Sequence, residues 1–336
     1  MRPKVLAGLA LAVSFGTPPP VLAVHGAAAA SAPLQLVQKI PLGEVKGRVD
    51  HMAVDLARQR LFVAELDNDS VWVVNLKASQ VSGRIHGLKE PQGVGYLDAN
   101  DTLYVADGGD GTVRLFRGKD FGAAGRIRLS EDTDNIRIDR ASRRVFVGYG
   151  DGAVAIIDAA KNLKVADIAL GGHPESFRLE SGGNRIFANV PEARQIDVAD
   201  RHSGKVVARW ATGRATGNFP MALDKASRQV LVVFRKPATL VAFSMQDGKL
   251  VAGAAACGDA DNLFVDTKRH RIYVSCGEGY LDVFEPENGG FGRIARLHTA
   301  SGARTSLFVR ELDRLFVAVR AGSTGGAAIW VYRPAS

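Results

Sequence analysis

The chain has 336 residues, 46% of them hydrophobic and 23% charged, with 37 glycines, 13 prolines, two cysteines and a formal charge of +8. That is enough apolar content for a large core, and it excludes collagen, a disulfide-stapled mini-protein and a disordered chain. The glycine share favours many tight turns over long helices, and nothing after residue 30 approaches the ~18 apolar residues of a membrane-spanning helix.

At the N-terminus, the basic head Met1-Arg2-Pro3-Lys4 precedes an apolar stretch from Val5 to Phe15. Small-residue sites follow at Val21-Leu22-Ala23 and Ala30-Ser31-Ala32. This is the layout of a secretory signal peptide. Residues 1–32 are expected to direct export and be removed after Ala23 or Ala32, leaving a periplasmic or secreted protein. The apolar stretch is too short to span a bilayer at 1.5 Å per residue. The remaining basic residues form no cluster, so a nucleic-acid partner is not expected.

Beyond this segment one phrase recurs. Arg60-Leu61-Phe62-Val63-Ala64 returns as Thr102-Leu103-Tyr104-Val105-Ala106, Arg144-Val145-Phe146-Val147 and Arg185-Ile186-Phe187-Ala188. It returns again as Gln229-Val230-Leu231-Val232, Arg271-Ile272-Tyr273-Val274 and Arg314-Leu315-Phe316-Val317. The seven copies start 41 to 44 residues apart. Each repeat reads as four short strands. In the first, Met52-Ala53-Val54 and Leu61–Ala64 flank a turn, then Val71-Trp72-Val73-Val74 and Val81–Ile85 follow Asn/Asp and Lys-Ala-Ser-Gln turns. Runs of β-branched and aromatic residues bounded by turn residues are strand signals, and four strands per ~40–45 residues is the arithmetic of a β-propeller blade.

The expected fold is therefore all-β: one seven-bladed β-propeller over residues 33–336, with four-stranded antiparallel blades. The last repeat stops after its third strand, Ala328–Tyr332, and Leu34–Leu42 is expected to supply the missing fourth, closing the ring and removing two sheet edges. Acid/arginine pairs recur across the first hairpin of several repeats, at Asp55/Arg60, Asp139/Arg144, Glu180/Arg185 and Asp266/Arg271. They are expected to form cross-strand ion pairs.

The stretch Leu103-Tyr104-Val105-Ala106-Asp107-Gly108-Gly109-Asp110-Gly111-Thr112-Val113 resembles the bacterial YVTN-type β-propeller repeat. Pro91-Gln92-Gly93-Val94 and His173-Pro174-Glu175-Ser176 resemble its Pro-x-Gly-Val lead-in to the innermost strand. The resemblance covers nearly the whole chain after the N-terminal segment. It implies the WD40/YVTN-like fold, shared with quinoprotein amine dehydrogenase β-chain-like proteins. Propellers similar to these include binding proteins, lactonases, streptogramin-type lyases and quinoprotein-dehydrogenase-like subunits, so the fold leaves function open.

In a propeller each innermost strand starts at the top face beside the central channel. The residue eleven before each Leu-Phe-Val core reads Asp50, Gln92, Asp134, Glu175, Phe219, Asp261 and Arg304 around the ring. The next residues include His51, Asn135, Ser176 and Asn262. These define a polar, acidic mouth, with Asp50, His51, Gln92, Asp134, Asn135, Glu175, Asp261, Asn262 and Arg304 as the candidate ligand-binding set. Converging carboxylates repel unless a cation, a proton or a basic group compensates them, and Arg304 is expected to offset one charge. Asp134, Glu175 and Asp261 are the candidate ligands of a Ca²⁺ ion; resemblance to lactonase-type propellers implies a channel metal held by Glu, Asp and Asn, although the spacing of that motif does not match here.

His51 is the candidate acid/base. Strand alternation is expected to point the neighbouring Asp50 away from it. His86, His173 and His298 fall near other top loops, and no nucleophile elbow or haem attachment motif is present. Cys257 and Cys276 end strands of adjacent blades at the same face. They are expected to form one disulfide, with a soft-metal site as the alternative.

The sequence reading is thus a monomeric exported binding module that takes a small molecule or protein partner at the acidic mouth. A metal-dependent lactonase-like hydrolase or lyase is the alternative. The second alternative is a propeller subunit of a quinoprotein-dehydrogenase-like redox complex.

Overall fold

A computed structural model describes residues 1, 3–4, 32–45, 47–322 and 325–336. The expected signal peptide lies almost wholly outside the described residues. Among them, twenty-eight strands, β1 to β28 in chain order, form seven four-stranded antiparallel sheets. Among the described residues the only helical segments are three single 3₁₀ turns at Leu66–Asn68, Asp98–Asn100 and Arg310–Leu312.

Each repeat builds one blade. The innermost strands are β2 (Met52–Asp55), β6 (Pro91–Leu97), β10 (Ile136–Asp139), β14 (Ser176–Leu179), β18 (Thr216–Asp224), β22 (Ala260–Asp266) and β26 (Ser306–Val309). Each of these touches the next, and β26 touches β2, so the ring is closed. The closure is the expected one. The N-terminal strand β1 (Leu34–Gly43) pairs antiparallel with β28 (Ala327–Pro334) and completes the seventh blade, from Leu34 opposite Pro334 to Gly43 opposite Ala327.

The Leu-Phe-Val phrases form the second strand of every blade. Leu61, Phe62 and Val63 are fully buried, as are Val145, Val147, Ile186 and Phe187. Alternate side chains of these strands pack between neighbouring blades, so the core is a series of inter-blade layers. Removing such apolar surface from water is worth about 25 cal/mol per Å².

Two of the four expected hairpin ion pairs form: Arg60 to Asp55 at 2.8 Å and Arg185 to Glu180 at 2.6 Å. The other two re-pair. Arg144 turns to Asp158, its neighbour on the third strand, at 3.0 Å, and Arg271 turns to Glu285 at 2.9 Å. A strand-two arginine has a neighbour on either side, and here the third-strand carboxylates win. Asp139 is left to Arg201 of the next blade and Asp266 to Arg269.

Cys257 and Cys276 are joined by a disulfide with their Cα atoms 5.9 Å apart. Cys257 follows the outer strand β21 (Leu250–Ala255) and Cys276 ends β23 (Arg271–Cys276), so the bond staples blade five to blade six at the top face.

Candidate functional site

The top mouth is built from backbone that departs from regular pairing. In blade one, the Asp50 amide donates to the Ala64 carbonyl and the Ala64 amide donates to the His51 carbonyl, so two residues face one. Asp134 and Asn135 repeat this pattern opposite Gly148. In blades two, five and six the equivalent positions fall in register shifts of β6, β18 and β22. A bulge cancels strand alternation and re-aims side chains. Asp50 therefore does not point away from His51 as alternation implies: its Oδ1 lies 2.9 Å from His51 Nδ1. Gly93 sits in the blade-two bulge, where a Cβ would overlap the backbone carbonyl of Asp134. The glycine of the Pro-x-Gly-Val phrase thus lets blades two and three meet at the mouth.

The structure brings Asp50, His51, Asp134, Asn135, Glu175, Asp261 and Asn262 around one small cavity. Gln92 and Arg304 do not line it. Gln92 reaches outward to Asp132 at 3.1 Å, and Arg304 holds Asp259 through both carboxylate oxygens at 2.9 Å. The other histidines stand apart. His173 bonds the Gly150 carbonyl at 2.8 Å, His298 packs on Tyr280 with ring centroids 4.6 Å apart, and His86 is exposed beyond the outer strand β5 (Gln80–Ile85).

Three of the four acids of the mouth, Asp50, Asp134 and Asp261, are met by basic side chains of this chain. Asp50 is 3% exposed and accepts from Arg48 Nη2 at 2.8 Å. Burial alone would raise its carboxyl, but contact with His51 and the charges of Arg48 and Arg304 hold it below the usual range. His51 Nδ1 lies between Asp50 and Asp134, at 2.9 and 3.6 Å. Burial works against its charge, and the two carboxylates outweigh it and raise its pKa. Asp134 accepts from Asn135 Nδ2 at 2.8 Å, and Asp261 accepts from Arg235 Nη2 at 2.9 Å. Burial and neighbouring carboxylates push Asp134 up to about 6 and Glu175 up to about 7, and raise Asp261.

The cavity among these groups is about 30 Å³, room for water rather than for an organic molecule. No group of three or more His, Cys, Asp or Glu side chains among the described residues is placed to share a metal ion. Asp134, Glu175 and Asp261 therefore do not fit a Ca²⁺ shell of six to eight oxygens as they stand. Asp134 faces His51 and Asp261 faces Arg235 instead.

Below this mouth lies a cavity the sequence reading did not single out, about 910 Å³ in volume and running along the inner strands to the bottom face. Only His51, Arg137 and Asn262 border both cavities. Its walls are half-buried apolar side chains of the innermost strands, among them Val54, Ile138, Leu179, Leu223, Phe264 and Leu307. Seven Arg and Lys side chains line it against one carboxylate, Glu180, which is bound by Arg185. Arg140, Lys225, Arg228 and Arg310 are exposed at its rim.

Arg137 and Arg178 sit deeper, on adjacent blades. Arg137 donates to the Asn135 side chain at 2.9 Å and to the carbonyls of Ile136 and Phe177. Arg178 donates to the Phe177 carbonyl at 3.1 Å and to Ser176 Oγ at 3.4 Å. Neither has a carboxylate within 4.0 Å among the described residues. Enclosure by the protein pulls Arg137 down to about 10 although Asp134 opposes this, and enclosure together with the charge of Arg137 lowers Arg178 well below the ordinary guanidinium value.

A signal for these two residues was present in the repeat. They occupy the position eight before each Leu-Phe-Val core, three beyond the mouth position. That ring reads Ala53, Gly95, Arg137, Arg178, Ala222, Phe264 and Leu307. Two arginines among small and apolar residues mark a polar spot in an otherwise apolar tube.

Fold and site define a seven-bladed β-propeller with a channel closed by acids at one end and open among cations at the other. The chain superposes on a chain of Kuenenia stuttgartiensis hydrazine synthase with a TM-score of 0.72 at 15% identity, over 82% of this chain and 95% of that one. It superposes on a chain of the mitotic checkpoint complex with a TM-score of 0.77 at 13% identity, over 98% and 100%. At these identities the likeness is one of fold. No family model and no curated protein matches the chain. No helix among the described residues is long and apolar enough to cross a membrane.

Proposed function

We propose that the protein is an exported, non-catalytic binding module of the YVTN-like propeller type whose central channel takes a small organic molecule from the bottom face. The observation that carries this is the cavity itself. About 910 Å³ with apolar walls and a few polar groups falls in the range of small-molecule sites, whereas the acidic mouth has room for water. The mouth then acts as the sealed end of the channel. Its carboxylates Asp50, Asp134 and Asp261 pair with Arg48, His51 and Arg235, and His51, which also borders the channel, is engaged by Asp50. Export is supported by the basic-apolar-small pattern of residues 1–32 and by the disulfide, which persists in oxidising compartments.

Two experiments test the reading. Mass spectrometry of protein expressed with its N-terminus intact should find the chain starting at Val24 or Pro33; an unprocessed chain retained in the cytoplasm contradicts export. A thermal-shift screen of small organic molecules should give saturable shifts, because a ligand at 100 times its Kd adds about 2.7 kcal/mol. Leu223→Trp, which narrows the channel, should weaken those shifts. Shifts untouched by Leu223→Trp and by bulky substitutions at Leu179 and Leu307 on other blades would place the ligand elsewhere.

A further inference from the structure

We propose that the ligand of the channel is an amphipathic organic anion, with its acidic head on Arg137 and Arg178 and its apolar body directed toward the bottom rim. This rests on the reading of the channel as a small-molecule site and adds the charge and polarity of what it holds.

The argument begins with the cost of the two arginines. A guanidinium enclosed by protein is ordinarily paired with a carboxylate, because an uncompensated charge away from bulk water is expensive. Arg60, held by Asp55, and Arg269, held by Asp266 and Asp313, follow that rule. Arg137 and Arg178 break it together, side by side on blades three and four, and both face the same cavity. Their bonds go to carbonyls and to one amide and one hydroxyl oxygen, which orient the guanidinium groups without neutralising them.

Arginine suits this role because its planar fork binds carboxylate, sulfate and phosphate oxygens bidentately. At the equivalent ring position, blades one and five carry Ala53 and Ala222, small side chains that line the same cavity. Below them the walls are apolar, so a wholly polar anion would bury no complementary surface there. The exposed Arg140, Lys225, Arg228 and Arg310 at the rim raise the local concentration of anions and favour their capture. A cationic or neutral polar ligand gains from none of these features.

The test uses calorimetric titration of the full mature protein with three eight-carbon probes: octanoate, 1-octanol and octyltrimethylammonium. Octanoate should bind with one site per chain, 1-octanol at least roughly tenfold more weakly, and the ammonium not measurably. Arg178→Met should weaken octanoate by roughly tenfold to a hundredfold, the range for a lost charged hydrogen bond, and leave 1-octanol unchanged. Arg178→Lys should recover part of the loss. The exposed double variant Arg228→Ser/Arg310→Ser, which leaves the core intact, should weaken octanoate several-fold at low salt only.

Equal affinity for octanoate and 1-octanol, or octanoate affinity unchanged in Arg178→Met, would overturn the anion assignment while leaving the channel as a binding site. Failure of all three probes, together with an empty thermal-shift screen, would overturn both.

Discussion

The two ends of the channel carry opposite charge, and they handle it differently. At the top, four carboxylates converge; Arg48, His51 and Arg235 reach Asp50, Asp134 and Asp261 within ion-pair distance, Glu175 is held protonated by burial, and the space between is only about 30 Å³. At the bottom, cations outnumber carboxylates seven to one, the cavity is about 910 Å³, and its two deepest arginines have no acid partner. Charge that a protein compensates with its own side chains is structure. Charge that it leaves uncompensated beside an empty apolar volume is available to a ligand. Substitutions at the top should therefore alter stability, and substitutions at the bottom should alter binding.

Both ends depend on one closed ring, so the largest effect comes from opening it. Deleting residues 34–43 removes β1 and exposes the edge of β28. The truncated protein should lose its cooperative melt and aggregate; a soluble truncation with a sharp transition would break the closure.

Reducing the disulfide removes a staple at the sealed end. For a loop of 19 residues the loss is about 3 kcal/mol, a fall in Tm on the order of 5 °C, read by calorimetry with and without reductant. Octanoate affinity should not change. Asp50→Asn leaves Arg48 without its acid and His51 with Asp134 alone, and should cost roughly 2 kcal/mol in urea unfolding, less than a fully buried pair because Arg48 is half-exposed. It too should spare octanoate binding.

Glu175 sharpens the comparison through pH. Its folded pKa of about 7 lies above the value of 4.5 for a free side chain, so the folded state holds a proton that the unfolded chain has released. Its contribution to stability is favourable at acid pH and is lost as pH rises from about 4.5 to about 7. Glu175→Gln should raise Tm by a few degrees at pH 8 and leave it unchanged at pH 4. A uniform change at both values would mean that the carboxyl is not held protonated. The smallest effect concerns metal: Ca²⁺ should give no saturable thermal shift, and a shift abolished by Asp134→Asn would show that the mouth opens to admit the ion.

Much of this architecture was legible in the residues. The spacing of Leu61, Leu103, Val145, Ile186, Val230, Ile272 and Leu315 counts the blades, because each phrase is the buried second strand of one. The short last repeat and Leu34–Leu42 foretold the closing strand pair, since an unpaired edge is costly. Counting back eleven residues found the mouth, and seven of its nine candidates meet there.

What the sequence could not give was partnership. Bulges at the mouth invalidate the alternation rule, so the contact of Asp50 with His51 was invisible. Arg144 and Arg271 chose third-strand acids for reasons of local geometry. Gln92 and Arg304 turn to Asp132 and Asp259, which no repeat position singles out. Arg137 and Arg178 sat in plain view, but an arginine is remarkable only when its missing partner can be seen, and that requires three dimensions.

The most direct test of the contrast between the two ends is the urea unfolding of ligand-free Arg178→Met beside the wild type. An unpaired enclosed charge is a cost carried for function, so replacing it with an apolar side chain of similar length should raise the midpoint with an unchanged m-value. A lower midpoint would show that Arg178 supports the fold, and that the open end of the channel is as self-sufficient as the closed one.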